Sequence, residues 1–465
     1  MENVRRREFA VPFLQSLIQV DTCNPPGNEH RLALLLQQFL QEAGLESNID
    51  GIEQGRSNLE VIFTGGGSRK LMFCGHLDTV SPWTAEAGNY PPHGAVIEDG
   101  RMYGRGTSDM KGGLAAMLLA AVSLHQEGIR LGGDLIFLAT AGEEVDSCGA
   151  RNYAQRHDLA ELDGLVIAEP TDSQVAIGHK GALWLRISLF GRSAHGSMPQ
   201  LGLNAVEGMM EVIALLHRHA LDWQTHDPVL GSSSLSVNKI EGGVQTNVIP
   251  DRCTIDVDIR TVPPLQHAEL LEEITAQLEA IQRLQSGYRY QVEELLDRSV
   301  VYTDPGKELI TIALELAGQT GGKGGRDAAG IERATVYGTD DANSAGVTNC
   351  ASDVSDVSDA SDASDASGTD GTDGTDGTAS GAYSVADGAV NFNGAQQVAP
   401  AVRGVSYYTD ASVLHNHGRL PVLIYGPGDP KLAHQPDEWI DIDAYLESIS
   451  FYRGLAIAFL GVVGE

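Results

Sequence analysis

Four short apolar runs bounded by glycine or turn residues, KLMFCG (70–75), DLIFLAT (134–140), GLVIA (164–168) and LPVLIYG (420–426), constrain this chain most. Apolar runs of this length without polar alternation read as strands buried on both faces. Between them lie helical patterns, notably LAAMLLAAVSLHQEG (114–128), with Gly128 as the C-terminal stop. Buried strands alternating with helices predict an α/β fold: a three-layer domain around a mostly parallel sheet.

The rhythm changes near residue 180. WLRISLFG alternates like a half-exposed strand, NAVEGMMEVIALLHRHA is helical, SSLSVNKIEGG and CTIDVDIRTV are strand-like, AELLEEITAQLEAIQRL is helical, and RYQVEEL is a last strand. The order β-α-β-β-α-β is the ferredoxin-like split motif. A chain of 465 residues has room for two domains. The expected layout is a main α/β domain formed by 1–178, 296–320 and 402–465, with a ferredoxin-like (α+β) domain inserted at 179–295.

Residues 321–401 follow neither pattern. They include SDVSDVSDASDASDASGTDGTDGTDGT (352–378), with aspartate at every third position from Asp353 to Asp365 and again from Asp370 to Asp376, and few large apolar residues. Such a segment cannot bury enough surface to offset its ordering entropy, so it reads as a disordered acidic insertion. A calcium-binding solenoid needs a nine-residue repeat with paired glycines, which three-residue units do not supply.

A formal charge of −32 disfavours nucleic acid and anionic lipid surfaces as partners. Five scattered cysteines, Cys23, Cys74, Cys148, Cys253 and Cys350, give no disulfide framework and fit a reducing compartment. Glu8 and two glutamines interrupt the apolar run that follows the basic cluster at the start, which therefore reads as an amphipathic helix rather than a signal peptide. No stretch reaches the roughly 18 apolar residues of a membrane span. The expectation is a soluble, cytoplasmic protein.

The strand ends carry the chemistry. FCGHLDTV places His76 and Asp78 two residues apart at the end of a strand, where extended geometry points both to one side. On its own that pair is as readily a buried histidine satisfied by a carboxylate. GRGTSDMKGG sets Asp109 between a glycine-rich loop and a helix, where it could equally be an N-cap. ATAGEEVDSCG puts Glu143 and Glu144 after a buried strand, and VIAEPTD puts Glu169 at another strand's C-terminal end, the edge where open α/β sheets hold ligands. His434 in KLAHQPDEWID would otherwise be a surface histidine. Several strand ends bearing imidazole and carboxylate are what a dinuclear divalent site requires, and these ligands suit zinc, with cobalt or manganese possible.

The ordered motifs GHLDTV, GRGTSDMKGG, AGEEVDSCG, AEPT and AHQPDEW resemble the dinuclear zinc family of acetylornithine deacetylase, succinyl-diaminopimelate desuccinylase, aminoacylase and glutamate carboxypeptidase. The resemblance spans nearly the whole chain outside the acidic insertion. It implies an α/β catalytic domain with an inserted lid that commonly forms a homodimer. It also implies two metal ions, one held by His76 and Glu169, the other by Glu144 and His434, with Asp109 bridging. Asp78 would orient His76, and Glu143 would be the general base.

GRSAHGSMPQLGLNAV matches the family segment whose histidine, here His195, stabilises the oxyanion in the partner subunit's site. TNVIPDRCTIDVDIRT matches the segment whose Asn and Arg, here Asn247 and Arg260, bind the substrate carboxylate; an ion pair of Arg260 with Asp256 or Asp258 is the structural alternative. GVSYYTDAS (404–412) resembles a substrate-proximal loop without assignable roles. Glu169 matches the deacylase and carboxypeptidase branches, where peptidase branches more often have Asp.

The expected activity is amide hydrolysis of a small N-acyl amino acid, acetylornithine deacetylase-like. A desuccinylase or a glutamate-type carboxypeptidase or dipeptidase is the alternative. A non-catalytic cation-binding or interaction protein on the same scaffold would have lost a ligand or the base, and none is missing.

Overall fold

A computed structural model describes residues 4–84, 86–284, 287–319 and 402–464; the acidic insertion lies outside the described residues. All four apolar runs are strands: Lys70–His76, Asp134–Thr140, Gly164–Ile167 and Val422–Ile424. They occupy the centre of a nine-stranded sheet. Asp134–Thr140, Lys70–His76, Gly164–Ile167 and Val422–Ile424 follow one another across it, each parallel to its neighbour. The flanks are antiparallel, with Arg56–Phe63 beside Asp134–Thr140 on one side and Ala176–His179 beside Val422–Ile424 on the other. The expected parallel sheet is therefore the core of a mixed one.

The predicted helix spans Gly112–Gln126, and Gly128 follows with φ +68°. Its residues from Gly112 to Leu124 are all buried, and each buried leucine or valine contributes about 1.5–3 kcal/mol through removal from water. It packs on Ile442–Leu460 and on the strand Lys70–His76. Close approach needs glycine, because a Cβ at Gly113 would lie 2.1 Å from the Ala168 carbonyl oxygen. The first helix, Arg7–Ile18, buries Ala10, Val11, Phe13, Leu14, Leu17 and Ile18 along one face, as an amphipathic helix should.

The β-α-β-β-α-β segment forms a second sheet with strand order Ser234–Gly242, Arg252–Thr261, Gly181–Phe190, Arg289–Arg298, antiparallel throughout. Helices Ala205–Asp222 and His267–Leu284 connect it, and its apolar residues form a cluster of their own. The first and third strands in chain order lie at the centre, which is ferredoxin-like topology. The last strand runs to Arg298, past the expected boundary at 295. Among the described residues, no helix is long and apolar enough to cross a membrane, and Cys23, Cys74, Cys148 and Cys253 are free.

Candidate active site

The parallel strands deliver their C-terminal ends to one place. His76 ends its strand, Glu143 and Glu144 follow Asp134–Thr140, Glu169 follows Gly164–Ile167, and His434 comes from the segment after Val422–Ile424. His76 Nε2 lies 3.1 Å from Asp109 Oδ1 and 3.7 Å from Glu169 Oε1. His434 Nε2 lies 3.4 Å from Asp109 Oδ2 and 3.1 Å from Glu144 Oε2. Asp109 thus faces both imidazoles, one with each oxygen. Ligand atoms of His76, Glu143 and Glu169 lie within 4.8 Å of one another, as do those of His76, Asp109 and Glu144. Asp109 is no N-cap, since the helix begins at Gly112 with Lys111 at the cap position.

Asp78 departs from the simple expectation. At hydrogen-bond distance His76 Nδ1 meets the Asp78 main-chain carbonyl, 2.9 Å away, while the nearer carboxylate oxygen is at 3.6 Å. That carboxylate instead accepts the backbone N–H groups of Gly142, Glu143 and Glu144 at 3.0, 3.1 and 3.2 Å, and the Asn24 amide at 2.9 Å. Asp78 therefore orients the histidine with its backbone and the Glu143–Glu144 turn with its side chain.

Other supports carry no sequence signal of their own. Buried Glu438 accepts from the backbone N–H of Ser108 and Asp109 at 2.8 and 3.0 Å and from Arg105 at 2.7 Å, fixing the Asp109 turn. Asp437 accepts the N–H groups of Asn89 and Tyr90, which pins the segment bearing His434. Asp410, in the loop whose roles the sequence left open, is buried and accepts from Thr140 at 2.6 Å. Tyr407 in the same loop donates to the Pro170 carbonyl beside Glu169.

His195, Asn247 and Arg260 are not part of this cluster. His195 is exposed in a two-residue strand paired with Val248–Ile249, its Nδ1 2.8 Å from Ser197 Oγ. Exposed Asn247 accepts the Gly196 N–H through its main-chain carbonyl. Arg260 forms the ion pair with Asp258, at 2.9 Å, while Asp256 is taken by Arg186.

Four carboxylates share this largely buried space with two imidazoles. Burial pushes Glu143 and Glu169 well above the ordinary carboxylate range, and neighbouring carboxylates push them further. Glu144 rises for the same reasons. Burial acts on Asp109 too, but hydrogen bonds from His434 and His76 outweigh it and hold that carboxyl low. Hydrogen bonds to Asp109 and Glu144 raise His434 to about 10. His76 also rises, since Asp109 and Glu169 overcome its burial. Among the described residues, Glu144 Oε1 is buried without a hydrogen-bond partner. The donor set thus fits two divalent ions.

A pH dependence follows for metal-free protein. Glu143, Glu169, His76 and His434 all bind protons more tightly folded than unfolded, so their contribution is present below the unfolded pKa and lost as pH rises through the folded values. Asp109 and Lys111 have the opposite sign; the window of Asp109 lies in acid, and Lys111, lowered to about 7 by burial, offsets part of the fall above pH 7. With a chelator present, Tm should fall between about pH 6 and about pH 9, and added divalent cation should remove the fall. A Tm that rises across that range in chelator would contradict this electrostatic account.

A site of convergent imidazoles and carboxylates at the C-terminal edge of an α/β sheet, beside a ferredoxin-like insertion, defines a metal-dependent hydrolase. The sequence pattern of peptidase family M20/M25/M40 matches residues 72–363 and 376–458, and the chain belongs to that family. A probable succinyl-diaminopimelate desuccinylase of Staphylococcus aureus (strain MSSA476) is 26% identical over 97% of both chains. An acetylornithine deacetylase of Aliivibrio salmonicida is 34% identical over 53% of this chain and 65% of its own.

The fold matches the M20 metallo-carboxypeptidase Sso-CP2 of Sulfolobus solfataricus, with TM-score 0.66 at 16% identity, over 96% of this chain and 98% of that one. It also matches the Bacillus subtilis YXEP protein, described as a dinuclear metal binding peptidase of the M20 family, with TM-score 0.62 at 12% identity over 98% of both.

Proposed function

We propose that this enzyme hydrolyses the amide bond of a small N-acyl amino acid in an acetylornithine deacetylase-like reaction. The observation that carries the reading is the convergence of His76, Asp109, Glu144, Glu169 and His434 on one cluster that also contains Glu143. His76 and Glu169 would hold one ion, Glu144 and His434 the other, with Asp109 between them; zinc suits the donors and cobalt is the nearest substitute. Two such ions would polarise the scissile carbonyl and lower the pKa of the attacking water.

Glu143 would take the proton from that water and return it to the leaving amine. It is buried beside His76 and Glu169, and its main-chain N–H is fixed by Asp78. Arg260, with Asn247, binds the substrate carboxylate, using guanidinium donors beyond those given to Asp258.

Relatives named desuccinylase and deacetylase both match, so the acyl group is read from a panel of N-acetyl, N-succinyl and C-terminal glutamyl substrates assayed with Zn²⁺ or Co²⁺. Failure to cleave every N-acyl substrate, with metal bound, would overturn this reading.

Catalysis would use a homodimer formed through the inserted sheet. Met210 and Leu221, 64% and 72% exposed, lie with Ala214 along one face of the helix Ala205–Asp222, and the strand Ser234–Gly242 is an unpaired edge. The partner subunit's copy of His195 would supply the oxyanion donor; the residue is exposed and is not among the groups of the described cluster. His195→Ala should then depress kcat more than KM. Mixing inactive His195→Ala with inactive Glu143→Ala should restore some turnover through hybrids containing one intact site. No recovery despite proven subunit exchange would rule out action across the interface.

A further inference from the structure

The Glu143–Glu144 turn belongs to a loop, Ala141–Gly149, whose neck is closed by the Gly149 N–H donating to the Ala141 carbonyl at 2.8 Å. Asn58 bridges the same neck, accepting from the Ala141 N–H and donating to the Gly149 carbonyl, each at 3.0 Å. The far side of the loop is held at Asp146. Its carboxylate accepts from Arg151 at 2.8 Å and faces Arg56 at 3.8 Å. Arg56 lies directly beneath the loop, where a Cβ at Gly142 would come within 2.1 Å of its guanidinium.

The Asp146 main-chain carbonyl is bound from elsewhere. It accepts at 2.7 Å from Arg298 Nη2, at the end of the last strand of the inserted sheet. Arg298 is buried, and its Nη1 donates to the Asp297 carbonyl at 3.0 Å. Its backbone is locked into that sheet, because His267 joins Asp297 at 2.5 Å to Thr261 at 2.7 Å and so ties two strand ends to the start of a helix. Tyr408 lies in the field of Arg298 and of both Glu143 and Glu144. Arg298 is therefore a rigid extension of the inserted sheet that grips the loop two residues from Glu144.

We propose that Arg298 is a positioning residue, acting through the Asp146 carbonyl to set the loop that presents Glu143 and Glu144, so that the seating of the inserted sheet fixes the placement of the base. The proposal rests on the reading of Glu143 as general base. Without the grip, the loop keeps its neck, its Asp78 contacts and the Arg151 bond to the Asp146 carboxylate, but loses its tie to the inserted sheet. The error falls on the proton-transfer geometry rather than on substrate binding, and misplacement by about 1 Å can cost on the order of 100-fold.

The test compares R298M, which keeps the buried stem without its donors, with R298K, which keeps one cationic donor group. R298M should lose about tenfold in kcat with KM within about twofold, while R298K recovers to within about threefold of the parent. Tm and bound metal should stay near parental values, and hydrogen exchange of a peptide spanning 141–149 should accelerate. A parental kcat in R298M, a loss confined to KM, or unchanged exchange in that peptide overturns the proposal.

Should R298M not fold, R298Q, which removes the guanidinium, takes its place: a kcat lowered by about threefold or more with KM within about twofold and faster loop exchange supports the role, and a parental kcat overturns it. E143A assayed alongside separates the two readings. Turnover retained in E143A would refute the base assignment, whereas an inactive E143A beside an unimpaired R298M would refute the role of Arg298 alone.

Discussion

Glu143→Ala is expected to lower turnover by about 10²–10⁴-fold while both metal positions keep their full donor sets. The side chain is buried beside His76 and Glu169, and its main-chain N–H is held by the Asp78 carboxylate, which places the carboxyl at the cluster. Its neighbour Glu144, not Glu143, faces His434. Removing Glu143 takes away proton transfer and leaves His76, Asp109, Glu144, Glu169 and His434 in place. The measurement is kcat together with metal content of the purified variant. Near-parental turnover would remove Glu143 from the mechanism.

Asp109→Ala should fail in a different way, losing metal as well as activity. Its two oxygens face two different imidazoles, at 3.1 and 3.4 Å, so one truncation strips a donor from both positions. Loss of an outer-shell partner alone typically weakens metal binding about 10–100-fold, and loss of a bridging ligand should exceed that. Metal analysis after dialysis should find the variant depleted where Glu143→Ala is loaded. An Asp109→Ala protein that retains two equivalents of metal would rule out the bridging assignment.

Much of this was readable in the sequence because strand periodicity and site chemistry coincide. Lys70–His76 and Asp134–Thr140 are buried on both faces, so their apolar runs are unbroken, and the first polar residues beyond them are those the site uses. The flanks were not legible. Val301–Tyr302 and Arg403–Val405 are too short to show any period, and their pairing is set by the neighbouring Ala176–His179. Nor could sequence reveal that the Asp78 carboxylate turns to the Gly142–Glu144 amides, because the alternation of a strand does not say which backbone donors a later loop will bring. Asp410, Glu438 and Asn24 act through contacts between distant segments, and no local spacing encodes such contacts. Arg298 lies beyond the strand RYQVEEL and the expected boundary at 295, so nothing in the sequence ties it to the inserted sheet.

The position of Val422–Ile424 also bears on how the chain reaches this state. The strand lies between Gly164–Ile167 and Ala176–His179, both more than two hundred residues earlier in the sequence. Until it arrives, those two strands present unpaired edges of apolar backbone, and the segment carrying His434 has no place to dock. Pairings this remote must offset a large loop-closure entropy before they stabilise anything, which slows folding and prolongs the exposure of adhesive intermediates. The sheet is therefore expected to close late, with the imidazole–carboxylate cluster among the last features to form. Refolding from denaturant should accordingly give yields that fall steeply with protein concentration, with metal uptake lagging behind the recovery of secondary structure.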